Sequence, residues 1–77
     1  MGIDPDIYQE VVVYKNPGTF TEVENTLKYR LLLTANYLEA SAISLGDVAA
    51  LLGDLVVYLN QMGFTLNQCI EESLRRL

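Results

Sequence analysis

Apolar residues recur at steps of three and four over most of the chain, the spacing that places them on one face of an α-helix. The longest series follows a turn signal at residues 16–18 and predicts a first long helix from about Glu22 to Ala42, opened by a capping box of Thr21 and Glu24. The residues expected to line its buried face are Val23, Leu27, Leu31, Ala35, Leu38 and Ala42.

A second long helix is predicted to begin after Ser44, with Asp47 in its first turn, and to end at Gly63, a residue favoured for a left-handed cap. Its apolar positions alternate strictly between steps of four and three. That alternation is typical of a coiled-coil-like seam, suited to nearly antiparallel packing against the first helix. The seam consists of Val48, Leu52, Leu55, Leu59 and Met62.

Two shorter elements flank this helical hairpin. Thr65 and Gln68 form a third capping pair, which opens a last helix. Residues 7–14 are predicted to form a short helix, although their β-branched content is equally compatible with a strand. The apolar positions of the last helix are Leu66, Ile70, Leu74 and Leu77.

These elements predict an all-α protein made of a short N-terminal helix, a helical hairpin and a C-terminal helix. We expect a single domain over residues 1–77, with an N-terminal segment and turn over residues 1–20 and a helical core over residues 21–77. Because 51% of the 77 residues are hydrophobic, more than so small a monomer can readily bury, we expect a homo-oligomer, either a dimer or a tetramer.

Charge and composition narrow the classes of partner. A net charge of −5 opposes the neutralisation of phosphates that nucleic-acid binding requires, so nucleic acid is not expected as a ligand. The single Cys69 cannot form an internal disulfide, and neither a signal-like start nor an apolar run long enough to span a membrane is present in the sequence. We therefore expect a soluble cytoplasmic protein without a membrane partner.

Asp54 is the one charged residue between Leu52 and Leu59, in an apolar run where an unpaired ionised group is costly. It therefore either faces solvent or binds a partner. Its spacing places it at the edge of a groove between the long helices, and Asn36 and Glu39, one turn apart on the first helix, are expected to look into that groove. The polar stripe around it consists of Asp47, Asp54, Tyr58 and Gln61.

The segment GDLVVYLNQMGFTLNQCIEESLRRL, residues 53–77, resembles the closing part of the MazG-like nucleotide pyrophosphohydrolases, which are all-α proteins. YQE at residues 8–10 and LKYRLLL at residues 27–33 are similar to earlier parts of that family. The resemblance covers most of the chain and is strongest over residues 53–77.

The resemblance implies a metal site in which four carboxylates from two helices hold Mg²⁺ against a nucleoside triphosphate. Asp54 matches the aspartate of the family's E-x-x-D motif, whereas Leu51 stands where its glutamate belongs. On the first helix Glu39 matches one family glutamate and Asn36 stands at another. The implied metal ligands are therefore Glu39, Asp54 and Asn36, a set with two of the four carboxylates.

The resemblance also implies contacts to a nucleotide. Ser73 and Arg76 stand in the last helix where the family often has Asn and Lys near the substrate phosphate. Tyr58, beside Asp54 on the predicted polar stripe, is the residue expected to contact a nucleobase.

Two hypotheses of different classes follow. The first is a binding or assembly module, a MazG-like helical oligomer with a degenerate metal site and at most weak nucleotide recognition. In it, Asp54 is expected to be held by a neighbouring polar side chain or by Arg30, Arg75 or Arg76. The second is an active Mg²⁺-dependent pyrophosphohydrolase that completes its carboxylate set from another subunit. The conceivable donors are Asp47, Glu22 and Glu24.

Overall fold

The computed structural model describes residues 2–16 and 18–77, and within them the chain is all-helical, with four α-helices and no strand. The predicted all-α class is therefore confirmed. The helices are α1 (Pro5–Lys15), α2 (Phe20–Glu39), α3 (Leu45–Gln61) and α4 (Leu66–Arg75).

The N-terminal segment forms α1, so the helical alternative is confirmed and the strand alternative is wrong. Asp4 caps the helix, since its Oδ1 accepts a hydrogen bond from the Asp6 amide at 2.9 Å, and Pro5 occupies the first turn, where its missing N–H costs nothing. At the other end the Asn16 side chain donates to the Val12 carbonyl at 2.9 Å. These local bonds favour a helix despite the β-branched residues.

The predicted bounds of α2 are wrong at both ends. Thr19, and not Thr21, is the N-cap, and its hydroxyl accepts from the Glu22 amide at 3.2 Å. Ser41 adopts a left-handed conformation with φ of 54°, and the Ala42 amide donates to the Tyr37 carbonyl at 2.8 Å. This hydrogen bond closes a Schellman-type cap, so the helix ends at Glu39, three residues before the predicted end.

The predicted bounds of α3 and the predicted start of α4 are confirmed, whereas Leu77, expected on the last helix, lies beyond its end at Arg75. Ser44 and Asp47 form a reciprocal capping box at the start of α3, and Thr65 and Gln68 form another at the start of α4. Gly63 follows α3 with φ of 85°, a conformation that only glycine adopts without strain. Local hydrogen bonding therefore sets where these two helices begin and where α3 ends.

Helix α3 is the centre of the fold. It packs against α2 on one side and against α1 on another, while α4 packs on α1 and on α3. The core between these helices is small: the buried hydrophobic residues among those described are Val23 and Leu27 of α2 and Val56 and Val57 of α3. Side chains link the elements at the edges, as where Gln61 Nε2 donates to the Gly18 carbonyl at 3.2 Å.

The predicted seam of α3 stays largely exposed and does not form the core. Four of its five residues, Val48, Leu52, Leu55 and Met62, remain 39–49% exposed, and Leu59 is half-buried. The helix instead buries Val56 and Val57, because α1 and α2 lie on the sides of α3 that carry these residues. On α2, the predicted core positions Leu31, Ala35 and Leu38 are exposed, as is Ala42 beyond the helix end.

None of the four described helices is by itself both long and apolar enough to cross a bilayer. Taken together, α3 and α4 reach the length and hydrophobicity of a membrane span, but the chain bends by 101° between them.

Candidate functional site

Asp54 binds an arginine across the α2–α3 contact. The Arg30 Nε donates to the Asp54 Oδ2 at 2.9 Å, and the two side chains retain 30% and 19% of their exposure. Thr34, one turn after Arg30, is buried and donates its hydroxyl to the Arg30 carbonyl at 2.8 Å. The expectation that an arginine such as Arg30 holds Asp54 is therefore confirmed.

An open cavity of about 290 Å³ lies beside Asp54 and is lined by residues from the end of α1, the start of α2 and the middle of α3. This volume is at the lower limit of small-molecule pockets. Its floor is apolar, whereas its walls carry an ammonium group and two carboxylates. The lining residues are Lys15, Asn16, Gly18, Glu22, Val23, Thr26, Asp54 and Val57.

The three implied metal ligands are not brought together. Asn36 and Glu39 are exposed on the second half of α2. Glu39 lies nine residues beyond Arg30, the residue opposite Asp54, which corresponds to roughly 13 Å along a helix axis. Over residues 2–16 and 18–77, no group of three or more His, Cys, Asp or Glu side chains is arranged to hold a metal ion.

The other carboxylates proposed as donors have local roles, with the exception of Glu22. The Asp47 carboxylate accepts from the Ser44 amide at 2.9 Å and belongs to the α3 capping box. Glu24 accepts from the Lys28 ammonium at 3.2 Å on the surface of α2. Glu22 lines the same cavity as Asp54, which neither Asp47 nor Glu24 does.

Leu51 lies one turn before Asp54 on α3 and is half-buried. Its isobutyl group offers no oxygen ligand to a metal ion such as Mg²⁺. Among the described residues no second carboxylate on α3 can therefore join Asp54 from this position.

The residues implied to contact a nucleotide lie in two separate places. The Tyr58 ring packs against Phe20, with 6.1 Å between the ring centroids, and lines a shallow groove of α2 and α3. Ser73 and Arg76 are exposed at the end of α4, where the Arg76 Nε donates to Glu72 Oε1 at 3.2 Å. The cavity beside Asp54 is lined from α1, α2 and α3 and the turn before α2, and not from α4.

Sequence analysis missed the contribution of α1 to this cavity. Lys15 and Asn16, at the end of α1, line the cavity together with Gly18 and residues of the first two turns of α2. The turn signal in the sequence was the available indication, since a short connection forces the ends of two helices together.

The chain was compared with models of known protein families, with curated proteins and with solved structures, and none of the three comparisons finds a match.

Proposed function

We propose that this chain is a helical assembly module that acts by self-association, with a MazG-like metal site that has lost its ligand set. The observation that carries the proposal is the amount of apolar surface that the single chain leaves in water. Four hydrophobic side chains of the described residues are buried, whereas nineteen large hydrophobic side chains are at least 36% exposed. A core this small supports a chain of 77 residues only marginally, so association stabilises the fold.

The Arg30–Asp54 pair supports the loss of the metal site. The guanidinium group already neutralises the carboxylate that matches the family's metal ligand. A Mg²⁺ ion at this position has to displace Arg30 and also shed water, which Mg²⁺ gives up reluctantly, and it finds few charged oxygens in return. We therefore expect Mg²⁺ to bind weakly or not at all at millimolar concentration, and nucleotide recognition to be weak at most.

The second candidate is an active Mg²⁺-dependent nucleoside triphosphate pyrophosphohydrolase that completes its carboxylates across subunits. The observation that favours it is that Glu22 and Asp54 line one cavity, with the Lys15 side chain available to a phosphate. A carboxylate from a second subunit at this cavity raises the number of carboxylates to three. Catalysis in such a site requires Arg30 to leave Asp54 when the metal ion binds.

One set of measurements separates the two candidates. Light scattering gives the mass in solution, and pyrophosphate release is followed with a panel of nucleoside triphosphates and Mg²⁺ or Mn²⁺. The assembly module predicts an oligomer without turnover. Steady turnover that Asp54→Asn abolishes establishes the enzyme instead, and a stable monomer at micromolar concentration refutes self-association.

A further inference from the structure

We infer that the exposed apolar face of the α2–α3 pair binds the same face of a second copy of this chain, with a two-fold axis near Leu55. This inference rests on the self-association proposed above and specifies its surface and symmetry. We call the surface the hairpin face. It consists of Leu31 and Leu38 of α2 and Val48, Leu52, Leu55 and Met62 of α3.

The hairpin face is continuous across the two helices. Leu31 of α2 and Tyr58 of α3 line the same shallow groove. Leu55 precedes Tyr58 by three residues and Leu38 follows Leu31 by seven, spacings that keep each pair on one side of its helix. The exposed leucines therefore adjoin the groove and do not form isolated spots.

The low density of charge from Val48 onward on α3 suits this face to a like-charged partner. Two copies that each carry a net charge of −5 repel one another. Between residues 48 and 70, however, the sequence holds a single charged residue, Asp54, and its carboxylate is bound by Arg30. At the border of the groove, Glu24 and Lys28 already form an ion pair on α2. Two hairpin faces thus meet without opposing like charges at their centre.

The apolar residues of the hairpin face on α3 are spaced symmetrically about Leu55. Val48 lies seven residues before Leu55 and Met62 lies seven residues after it. A two-fold axis at Leu55 therefore places Val48 of one copy opposite Met62 of the other. This is the self-complementarity that an isologous interface requires. The two copies of α3 then pack antiparallel, and α2 covers each flank.

The hairpin face is comparable in size with known protein interfaces. Helices of 20 and 17 residues are roughly 30 and 25 Å long, and two of them side by side are about 20 Å wide. The flat projection of the face is thus on the order of 500 Å², and its accessible surface is larger because side chains make it uneven. Stable interfaces bury about 800 Å² per partner, so the hairpin face is of the same order of magnitude.

The chain offers two matched pairs of variants for the test. Val48 lies on the hairpin face and Val11 on α1, and both are 49% exposed. Leu38 and Leu32 both lie on α2 and both are 59% exposed, but they point about 120° apart around the helix, so only Leu38 belongs to the face. Each pair thus differs in position and not in residue type or exposure.

Light scattering at micromolar concentration and circular dichroism are to be recorded for Val48→Lys, Val11→Lys, Leu38→Lys and Leu32→Lys. We expect Val48→Lys and Leu38→Lys to raise the dissociation constant at least about 100-fold, because each lysine enters the interface twice. The Val11 and Leu32 variants should associate like the parent chain. The hairpin face is refuted, while self-association stands, if both members of each pair weaken association equally or if the Val48 and Leu38 variants stay associated. A monomeric parent chain overturns the proposed function itself.

A crosslinking measurement covers the case in which a lysine variant fails to fold. Leu55→Cys in a Cys69→Ser background is treated with a short bis-maleimide, and Val11→Cys in the same background is the control. A two-fold axis at Leu55 brings the two cysteines together, so we expect a covalent dimer from the first protein and not from the second. A yield no higher than that of the Val11→Cys control places the axis elsewhere and refutes the inference.

Discussion

Removing the Arg30–Asp54 pair is expected to lower the free energy of unfolding, and by different amounts for the two partners. Arg30→Ala leaves a carboxylate with 19% exposure and without its donor. Asp54→Ala leaves a guanidinium group on a long, flexible stem that reaches water more easily. We therefore expect the loss of Arg30 to cost more than the loss of Asp54.

The magnitude follows from the geometry of the pair. A single charged hydrogen bond of 2.9 Å joins the two side chains. Charged hydrogen bonds in buried settings contribute about 1.5–3 kcal/mol, whereas exposed ion pairs contribute roughly 0.2–1 kcal/mol. With 30% and 19% exposure the pair lies between these cases, so its coupling energy is expected to be about 1–2 kcal/mol.

A double-mutant cycle measures this coupling. The single and double alanine variants of Arg30 and Asp54 are unfolded in urea and followed by circular dichroism, at one protein concentration because association contributes to stability. The matched control is the same cycle for Glu24 and Lys28, an ion pair within α2 whose side chains are 36% and 69% exposed. Its coupling should be about 0.3–0.5 kcal/mol. Equal coupling energies in the two cycles would refute the reasoning.

Three further predictions concern helix ends and are read by urea unfolding at fixed protein concentration. Gly63→Ala should lower the free energy of unfolding by about 1 kcal/mol because Gly63 has φ of 85°. Gly53→Ala should raise it by about 0.5–1 kcal/mol, because Gly53 lies in the middle of α3 and an added Cβ meets nothing within 4 Å. Changes of the same sign in the two variants would contradict this. Ser41→Gly should gain roughly 0.5 kcal/mol, since relief of a left-handed serine exceeds the added freedom of the unfolded chain; a loss of stability would count against it. Thr19→Ala should cost about 1 kcal/mol and Thr21→Ala little, because Thr19 is the cap of α2; the reverse order would restore Thr21 as the cap.

The helices, both ends of α3 and the start of α4 were predictable from the sequence because capping is local. The Ser44–Asp47 and Thr65–Gln68 boxes join groups three residues apart, and Gly63 is left-handed within one turn of the last α3 residue. The start of α2 was less determined, since Thr19 with Glu22 has the same spacing as Thr21 with Glu24. Both spacings satisfy the capping pattern, so the pattern alone does not choose between them.

The sequence limited the candidate partners of Asp54 but did not identify the partner. An unpaired ionised group in an apolar run is costly, and the expected partners of Asp54 were a neighbouring polar side chain or one of three arginines. The choice of Arg30 depends on how α2 lies along α3, because the two residues are 24 positions apart in the chain. The same alignment of α2 along α3 keeps Glu39 away from Asp54. The spacing of residues within one helix does not determine this alignment.

By itself the sequence determined that the chain forms helices, where α3 and α4 begin, and that Asp54 either faces solvent or has a partner, because propensity, capping and the cost of an unpaired charge act within a few residues. Only the tertiary structure decided which apolar line of α3 enters the core. The stripe through Leu55 and the pair Val56–Val57 are both compatible with helical periodicity, and α1 and α2 bury the second. Burial depends on neighbours that come from distant parts of the chain. A regular apolar stripe therefore indicates a surface that favours burial, but it does not identify the element that packs on it.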